Sequence, residues 1–207
     1  LAARLAEEPD PFVQADILGA LFKHRTRDLG DQIKPYLDAD NEHVRRKAIR
    51  LYAIQNAADL DYLVSKLVAE KEPVLRLIGY RQLLERVGET KLEHWQPLWS
   101  SDSPDYQSIA VTASFHFDET KERYEDILTV AKSAHPLAKR ALGTALPGPL
   151  SGEQTSAIID ILVADPHPSV REVAVTAIKR IHEDTHLEHL EKLASNSSSE
   201  VRKSVGR

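Results

Sequence analysis

The chain contains no cysteine and no methionine, and aromatic residues make up only 6% of its 207 positions. The lack of cysteine excludes a disulfide framework and any thiolate metal site. No apolar run approaches about 18 residues and the first residues do not resemble a signal peptide, so the sequence predicts no membrane span and a cytoplasmic location. A 42% apolar share with so few aromatics suits thin layers of paired helices built from Leu, Ile, Val and Ala.

A large apolar residue returns along the whole chain at a nearly constant interval. These anchors are Val13, Val44, Val74, Tyr106, Leu137, Val170 and Val201, with steps of 31, 30, 32, 31, 33 and 31 residues. A fixed period of this size indicates a repeat array, in which each repeat buries its apolar face against its neighbours. We therefore expect a single domain over residues 1–207, with repeats that begin near residues 10, 41, 72, 103, 134, 167 and 198.

Each repeat has the pattern of two helices joined by a short turn. The anchor is followed after four residues by a second apolar or small residue, which is the stripe of an amphipathic helix. Prolines stand one or two places before five anchors, where the first turn of a helix tolerates them because their missing N–H would be unpaired anyway. No segment shows sustained strand alternation, so the sequence predicts an all-α, right-handed α-solenoid of about six to seven helix pairs.

Three segments resemble a known repeat family. Asp165-Pro166-His167-Pro168-Ser169-Val170-Arg171, Asp40-Asn41-Glu42-His43-Val44-Arg45 and Glu200-Val201-Arg202 are similar to the short HEAT-like repeat of phycobilisome lyases. Repeats three to five depart from the pattern, with Leu75, Gln107 and Ala138 where the arginine should be. The resemblance is specific for fold and nearly silent on function, because this repeat serves scaffolds, regulators, lyases and nucleic-acid enzymes.

Both ends of the sequence have the pattern of helices without a partner. Leu1 and Leu5 fit the end of an earlier second helix, and residues 201–207 read as a first helix with nothing after it. Terminal repeats of solenoids normally carry a polar cap. We therefore expect a fragment of a longer chain, with end-to-end self-association through Leu1/Leu5 or Val201/Val205.

The charge pattern bears on the kind of partner. Basic residues concentrate in the first helices and acidic residues in the second helices, which the HEAT resemblance places on the concave face, and the net charge is −5. An acidic inner face repels phosphate, so nucleic acid is disfavoured as a partner. We expect Arg45, Arg171 and Arg202 to form a structural ladder, each paired with a carboxylate of an adjacent repeat.

Aromatic residues cluster between positions 80 and 124. From this region we select Trp95, Trp99, Tyr106, Phe117 and Tyr124 as candidate partner-binding residues, because exposed Trp and Tyr often dominate binding energy. The alternative is that these rings fill a widened core. Trp95 and Trp99 are placed on one helix that Pro97 distorts.

One literal metalloprotease motif occurs, at His182-Glu183-Asp184-Thr185-His186. A zinc site would need both histidines on one helical turn, whereas the repeat pattern places this segment at the turn between two helices. We therefore expect no metal, no cofactor and no catalytic residues.

The function expected from these features is a non-catalytic scaffold that presents a curved helical surface to a protein partner, such as a basic or extended segment. Two alternatives remain. The HEAT resemblance implies a bilin-lyase-like, chromophore-handling role if the aromatic region forms a pocket. A nucleic-acid-binding role would need a continuous outward track of basic first helices.

Overall fold

The structure is a computed structural model of the chain, and it describes residues 1–56, 58–133, 135–181 and 187–206. The chain divides into two compact units, an N-terminal unit, Leu1–Thr90, and a C-terminal unit, Lys91–Arg207. The boundary falls inside the predicted third repeat, between its two helices. The single domain over residues 1–207 therefore stays a prediction.

The N-terminal unit is built from helices throughout its described residues. Its α-helices are α1 (Ala2–Glu7), α2 (Pro11–Lys23), α3 (Gly30–Ile33), α4 (Glu42–Ala53), α5 (Leu60–Ala69) and α6 (Pro73–Leu84). Short 3-10 helices cover Lys34–Asp38 and Val87–Glu89. The first helices stack in chain order, α2 on α4 and α4 on α6, and α5 packs against both α4 and α6.

The C-terminal unit repeats this arrangement. Its α-helices are α7 (Gln96–Trp99), α8 (Pro104–Ser114), α9 (Tyr124–Lys132), α10 (Pro136–Ala145), α11 (Gly152–Val163), α12 (Pro168–Ile181), α13 (Leu187–Ala194) and α14 (Ser199–Gly206). Short 3-10 helices cover Leu92–Trp95 and Asp118–Arg123. Here α8 packs on α10, α10 on α12 and α12 on α14.

The all-α prediction is confirmed, since the described part of the chain has helices and no strand. Each of the seven predicted first helices begins at or just after its expected boundary, and five of them begin at a proline. Side chains cap several of these starts: Asp10 accepts from the N–H of Phe12, and Asn41 accepts from the N–H of His43. Such caps satisfy N–H groups that a helix leaves unpaired.

Two of the predicted anchors are in the wrong register. Val74 is 57% exposed, and its neighbour Leu75 is fully buried. Likewise Ala138, not Leu137, lies in the core. From α4 onward, the buried position is the third residue of each first helix, which gives Val44, Leu75, Tyr106, Ala138, Val170 and Val201. These positions are spaced by 31, 31, 32, 32 and 31 residues, a steadier period than the predicted one. In α2 the third residue is the predicted anchor Val13, which is 40% exposed, so this anchor is not in the core either.

Close packing between helices depends on a small residue at Gly79. A Cβ atom added there would lie 2.2 Å from Cδ2 of Leu67 and 3.1 Å from Cγ2 of Ile49. Leu67 is fully buried, so α5 and α6 pack together only because residue 79 has no side chain.

No helix in the described residues has the length and apolar character needed to cross a bilayer. The segment His182–His186, with its metalloprotease motif and predicted turn, lies outside the described residues.

Candidate interaction surfaces

Most of the aromatic residues predicted to bind a partner lie in the hydrophobic core. Trp95 is fully buried, and Trp99 and Tyr106 are each less than a tenth exposed. Phe117 and Tyr124 are half-buried, and a contact role for these two stays a prediction. A side chain inside the core cannot meet a partner, so the prediction is wrong for Trp95, Trp99 and Tyr106.

Small residues on α8 explain why this core takes large rings. Ala110, Ala113 and Ser114 are all fully buried on that helix, which packs against both α7 and the 3-10 helix Leu92–Trp95. The indole N–H of Trp99 donates to Oγ of Ser114 at 3.2 Å, so its polar atom is satisfied inside the core. The two tryptophans also lie on different elements, because the 3-10 helix ends at Trp95 and α7 begins at Gln96.

A repeating hydrogen bond holds the start of most first helices. The side chain of the fourth residue donates to the backbone carbonyl six residues earlier. The pairs are Gln14 to Glu8 (2.6 Å), Arg45 to Ala39 (2.9 Å), Arg76 to Glu70 (2.5 Å), Gln107 to Ser101 (3.0 Å), Arg171 to Asp165 (2.6 Å) and Arg202 to Asn196 (2.5 Å). Arg76 thus occupies the arginine position that the sequence comparison assigned to Leu75.

A second set of contacts links this fourth residue to the turn that precedes the next first helix. Arg45 Nε lies 3.0 Å from Oε2 of Glu70, and Lys139 Nζ lies 2.5 Å from Oδ2 of Asp165. Arg171 instead donates to the amide oxygen of Asn196 at 3.2 Å. The acceptor in this turn also accepts the backbone N–H two residues later, where the next repeat begins, as Asp165 does from His167 at 2.8 Å.

The predicted arginine ladder is therefore correct in part. Arg45 does pair with a carboxylate, but Glu70 lies at the end of the same repeat, just before the boundary near residue 72. The carboxylate is wrong for Arg171, whose partners are the Asn196 amide and backbone carbonyls. It is also wrong for Arg202, which donates to the carbonyls of Asn196 and Ser197 and reaches no carboxylate in the described residues. Arg45 also donates to two turn carbonyls, so these bonds do not replace a carboxylate. Arg171 lacks a carboxylate partner because Asn196 stands where Glu70 stands for Arg45.

Electrostatics at Glu70 follow from these contacts. Burial alone would raise the pKa of Glu70, but hydrogen bonds from Arg45 and from the backbone N–H of Glu72 outweigh burial and lower it. Glu70 is therefore ionised at neutral pH and joins two successive repeats.

The second helices of the N-terminal unit form a less acidic surface than predicted. Lys34 Nζ lies 4.2 Å and Lys66 Nζ 5.1 Å from the centre of the Tyr62 ring. Lys66 also pairs with Asp38 at 2.6 Å, and this hydrogen bond raises the pKa of Lys66. Basic side chains thus neutralise part of the acidic face that was expected to attract a basic segment.

The large apolar side chains that are exposed in the described residues all lie in the N-terminal unit. They are Leu1, Phe12, Val13, Val68 and Val74. Phe12 and Val74 are 62% and 57% exposed and are the second residues of α2 and α6. The equivalent residue of α4, between these helices, is His43, whose ring centre lies 5.9 Å from that of Phe12. We call Phe12, His43 and Val74 the Phe12 row.

Two of the residues predicted to drive self-association are already covered. Leu5 is 2% exposed and Val201 is fully buried, in a cluster with Val175 and Leu193. They offer no surface to a second chain, so that prediction is wrong for this pair. Leu1 is 65% exposed and Val205 is partly buried against that cluster, and the part of these two residues in association stays a prediction.

Comparisons with known proteins show similarity of fold alone. No family model and no curated protein matches the chain. An X-ray structure of YibA from Escherichia coli is similar at 18% identity and a TM-score of 0.62, over 90% of this chain and 71% of YibA. The crystal structure of an engineered protein is similar at 17% identity and a TM-score of 0.54, over 86% and 96% of the two chains. The chain therefore shares a helical fold with these two structures.

Proposed function

We propose that this chain is a HEAT-like α-solenoid that serves as a non-catalytic protein-binding module. Support for the architecture comes from the recurring helix pairs and from the hydrogen bonds that recur at their starts. Support for protein binding comes from the Phe12 row. We assign the primary contact surface to this row instead of to residues 95–124.

The Phe12 row is not explained by packing. The second residue of each first helix lies outside the buried core. In the C-terminal unit the equivalents Asp105 and Ser169 are polar and half-buried, Glu200 is polar and exposed, and only Leu137 is apolar, and it is half-buried. The fold thus tolerates a polar side chain at this position, whereas Phe12 and Val74 place apolar surface in water. Apolar patches with an aromatic residue mark protein contact sites more often than sites for small polar ligands.

Affinity capture from a native lysate tests this function. The wild-type chain is compared with the Phe12→Ser/Val74→Ser variant and with Val68→Ser as a matched control. Val68 is 49% exposed, and it lies on α5, outside the row. We expect a partner protein that the wild type and Val68→Ser recover and the double variant loses. Equal recovery by all three chains would refute the role of the row.

These observations weaken one of the two alternative functions and leave some support for the other. Chromophore handling needed an aromatic-lined opening near residues 95–124, and three of the five candidate rings, Trp95, Trp99 and Tyr106, lie in the core instead. Nucleic-acid binding retains one favourable observation, a group of basic side chains at the ends of α2 and α6.

A further inference from the structure

A cleft of about 570 Å³ opens in the N-terminal unit where α2, α4 and α6 end. Pockets of this size commonly hold ligands. Its lining residues are Phe22, Lys23, Arg25, Arg27, Ile54, Asn56, Glu85, Arg86 and Glu89. Phe22 and Ile54 give it an apolar wall, and four of the other residues are cationic.

A buried glutamine fixes the loop that carries two of these cations. Gln55 is fully buried, donates to the carbonyl of Thr26 at 3.0 Å and accepts from the N–H of Leu29 at 2.8 Å. These bonds hold residues 26–29 against the end of α4. Arg25 and Arg27 are therefore carried by backbone that is tied to the fold.

Arg25 occupies a backbone position that favours glycine. Its φ is +49°, and the N–H of Thr26 donates to the carbonyl of Leu21 while the N–H of Arg25 donates to that of Phe22. This is the Schellman ending of a helix, in which the left-handed residue is usually glycine. Arginine at this position adds backbone strain without stabilising the fold, and because it lines the cleft, this points to a functional role for its side chain.

Three of the four cations make no hydrogen bond or ion pair with a carboxylate of the described residues, although the charge of Arg27 contributes, after that of Arg86, to lowering the pKa of Glu89. Arg86 is committed to structure, because it donates to the carbonyls of Ala53 and Gln55 and pairs with Glu89 at 2.5 Å. Arg27 donates only to the neutral amide of Asn56, at 2.8 Å. The side chains of Lys23 and Arg25 are exposed and make no hydrogen bond or ion pair with described residues.

From this geometry we infer that the cleft binds a short acidic segment of a protein partner, with two or more carboxylates beside one bulky apolar side chain. The carboxylates would meet Lys23, Arg25 and Arg27, and the apolar residue would pack on Phe22 and Ile54. Arginine pairs well with carboxylates because its planar group donates two parallel hydrogen bonds. This inference rests on the proposed function and names the chemistry of the partner at a second surface.

The charges around the cleft favour a short peptide over a nucleic acid. Glu85 and Glu89 line the cleft, and Asp28 accepts from Asn56 beside it. A nucleic acid carries a long, even row of phosphates and needs an extended basic track. Carboxylates at the margin would repel such a row, whereas a peptide can match three cations and leave the rest uncharged.

Selection from a phage-displayed library of random dodecapeptides tests this inference. We expect peptides that bind the wild type to be enriched in Asp and Glu next to a bulky apolar residue. A fluorescein-labelled consensus peptide should bind Arg25→Gly and Arg27→Gln at least about tenfold more weakly, as for the loss of one charge-assisted hydrogen bond. Arg25→Gly keeps the fold, because glycine suits the backbone there.

Controls remove the same charge elsewhere. Arg140→Gln and Lys192→Gln change exposed basic residues of the C-terminal unit and should leave peptide binding unchanged. The inference is overturned if selection yields no acidic consensus, or if replacing Asp and Glu of the peptide by Asn and Gln leaves its affinity unchanged. The inference is also overturned, in favour of a nucleic-acid ligand, if a labelled dT12 oligonucleotide binds the wild type more tightly than the peptide does and the Arg25→Gly variant no longer binds it.

Failure of this inference can be separated from failure of the proposed function. The Phe12→Ser/Val74→Ser variant leaves every residue of the cleft unchanged. If the wild-type chain captures a partner through the Phe12 row but selects no acidic peptide, the proposed function stands and the inference of an acidic ligand in the cleft is refuted.

Discussion

Replacing Lys139 by methionine should be among the most damaging single changes to the C-terminal unit. The side chains of Lys139 and Asp165 are only 10% and 4% exposed, and their charged atoms lie 2.5 Å apart. Methionine preserves most of the volume of lysine but removes its charge. Asp165 would then be a buried carboxylate that retains only the N–H of His167 as a donor.

The size of the effect follows from this remaining contact. Removing one partner of a buried ion pair costs about 3 to 5 kcal/mol, and the bond from His167 places this case near about 3 kcal/mol. For a chain of this length, that loss corresponds to a fall in Tm of about 6 to 12 °C. Urea unfolding followed by circular dichroism, together with thermal unfolding at neutral pH, measures both quantities.

Two companion variants separate charge from packing. Lys139→Arg should stay within about 1 kcal/mol of the wild type, because arginine fills the equivalent position at Arg171. The double variant Lys139→Met/Asp165→Asn should recover at least half of the lost stability, since an amide at 165 can still accept from His167, as Asn196 accepts from Ser198. A loss below about 1 kcal/mol in Lys139→Met, or no recovery in the double variant, would refute the buried-charge argument.

Two further changes test other parts of the fold. Gly79→Ala should lower the unfolding free energy by about 1 kcal/mol. The new Cβ forces the fully buried Leu67 to move, which costs about 1 to 3 kcal/mol, whereas the higher helix propensity of alanine stabilises the helix by about 1 kcal/mol. Gly19→Ala, whose Cβ would lie 3.5 Å from its nearest neighbour atom, should stabilise instead, and equal effects at both sites in urea unfolding would contradict this. Because the pKa of Glu70 is lowered in the fold, its carboxylate stabilises the protein above about pH 4.3 and that stability is lost as the pH falls through the lowered pKa. The difference in unfolding free energy between the wild type and Glu70→Gln should therefore be largest at neutral pH and vanish on acidification, and a difference that grows with acid would show the opposite linkage.

The sequence predicted the helices well because two independent signals agree there. Apolar periodicity and first-turn prolines both mark where the first helices begin, and the structure places helix starts at these sites. Register within the helices was less accurate, because the large Val74 and Leu137 were chosen as anchors over their neighbours. Proline held the missing signal: it is the first residue of α6, α8, α10 and α12, and in all four the buried position lies two residues after it. In α2, which also begins at a proline, that position is the exposed Val13.

The aromatic patch shows why composition alone could not locate the binding surface. Trp95 and Trp99 were selected because aromatic residues cluster in that region, but burial depends on what lies opposite them. The opposing helix carries Ala110, Ala113 and Ser114, and these small side chains leave space for the rings. Such space depends on the packing of one repeat against the next, so periodicity within one repeat does not reveal it.

Basic residues present the same problem, and here the structure separates two roles that look identical in the sequence. Arg45 and Arg171 lie in the fold with their donors directed at carbonyl, carboxylate or amide oxygens of neighbouring turns. Arg25 and Lys23 lie at the opposite ends of the helix pairs, exposed and without such acceptors. A basic side chain can therefore bind a partner only where its donors are not already hydrogen-bonded to acceptors within the protein, and the sequence alone does not show this. On that criterion, the proposed contacts with an acidic partner lie at the end of α2 and in the loop that follows it, whereas Arg86 after α6 and the arginines at the helix starts serve the packing of one repeat on the next.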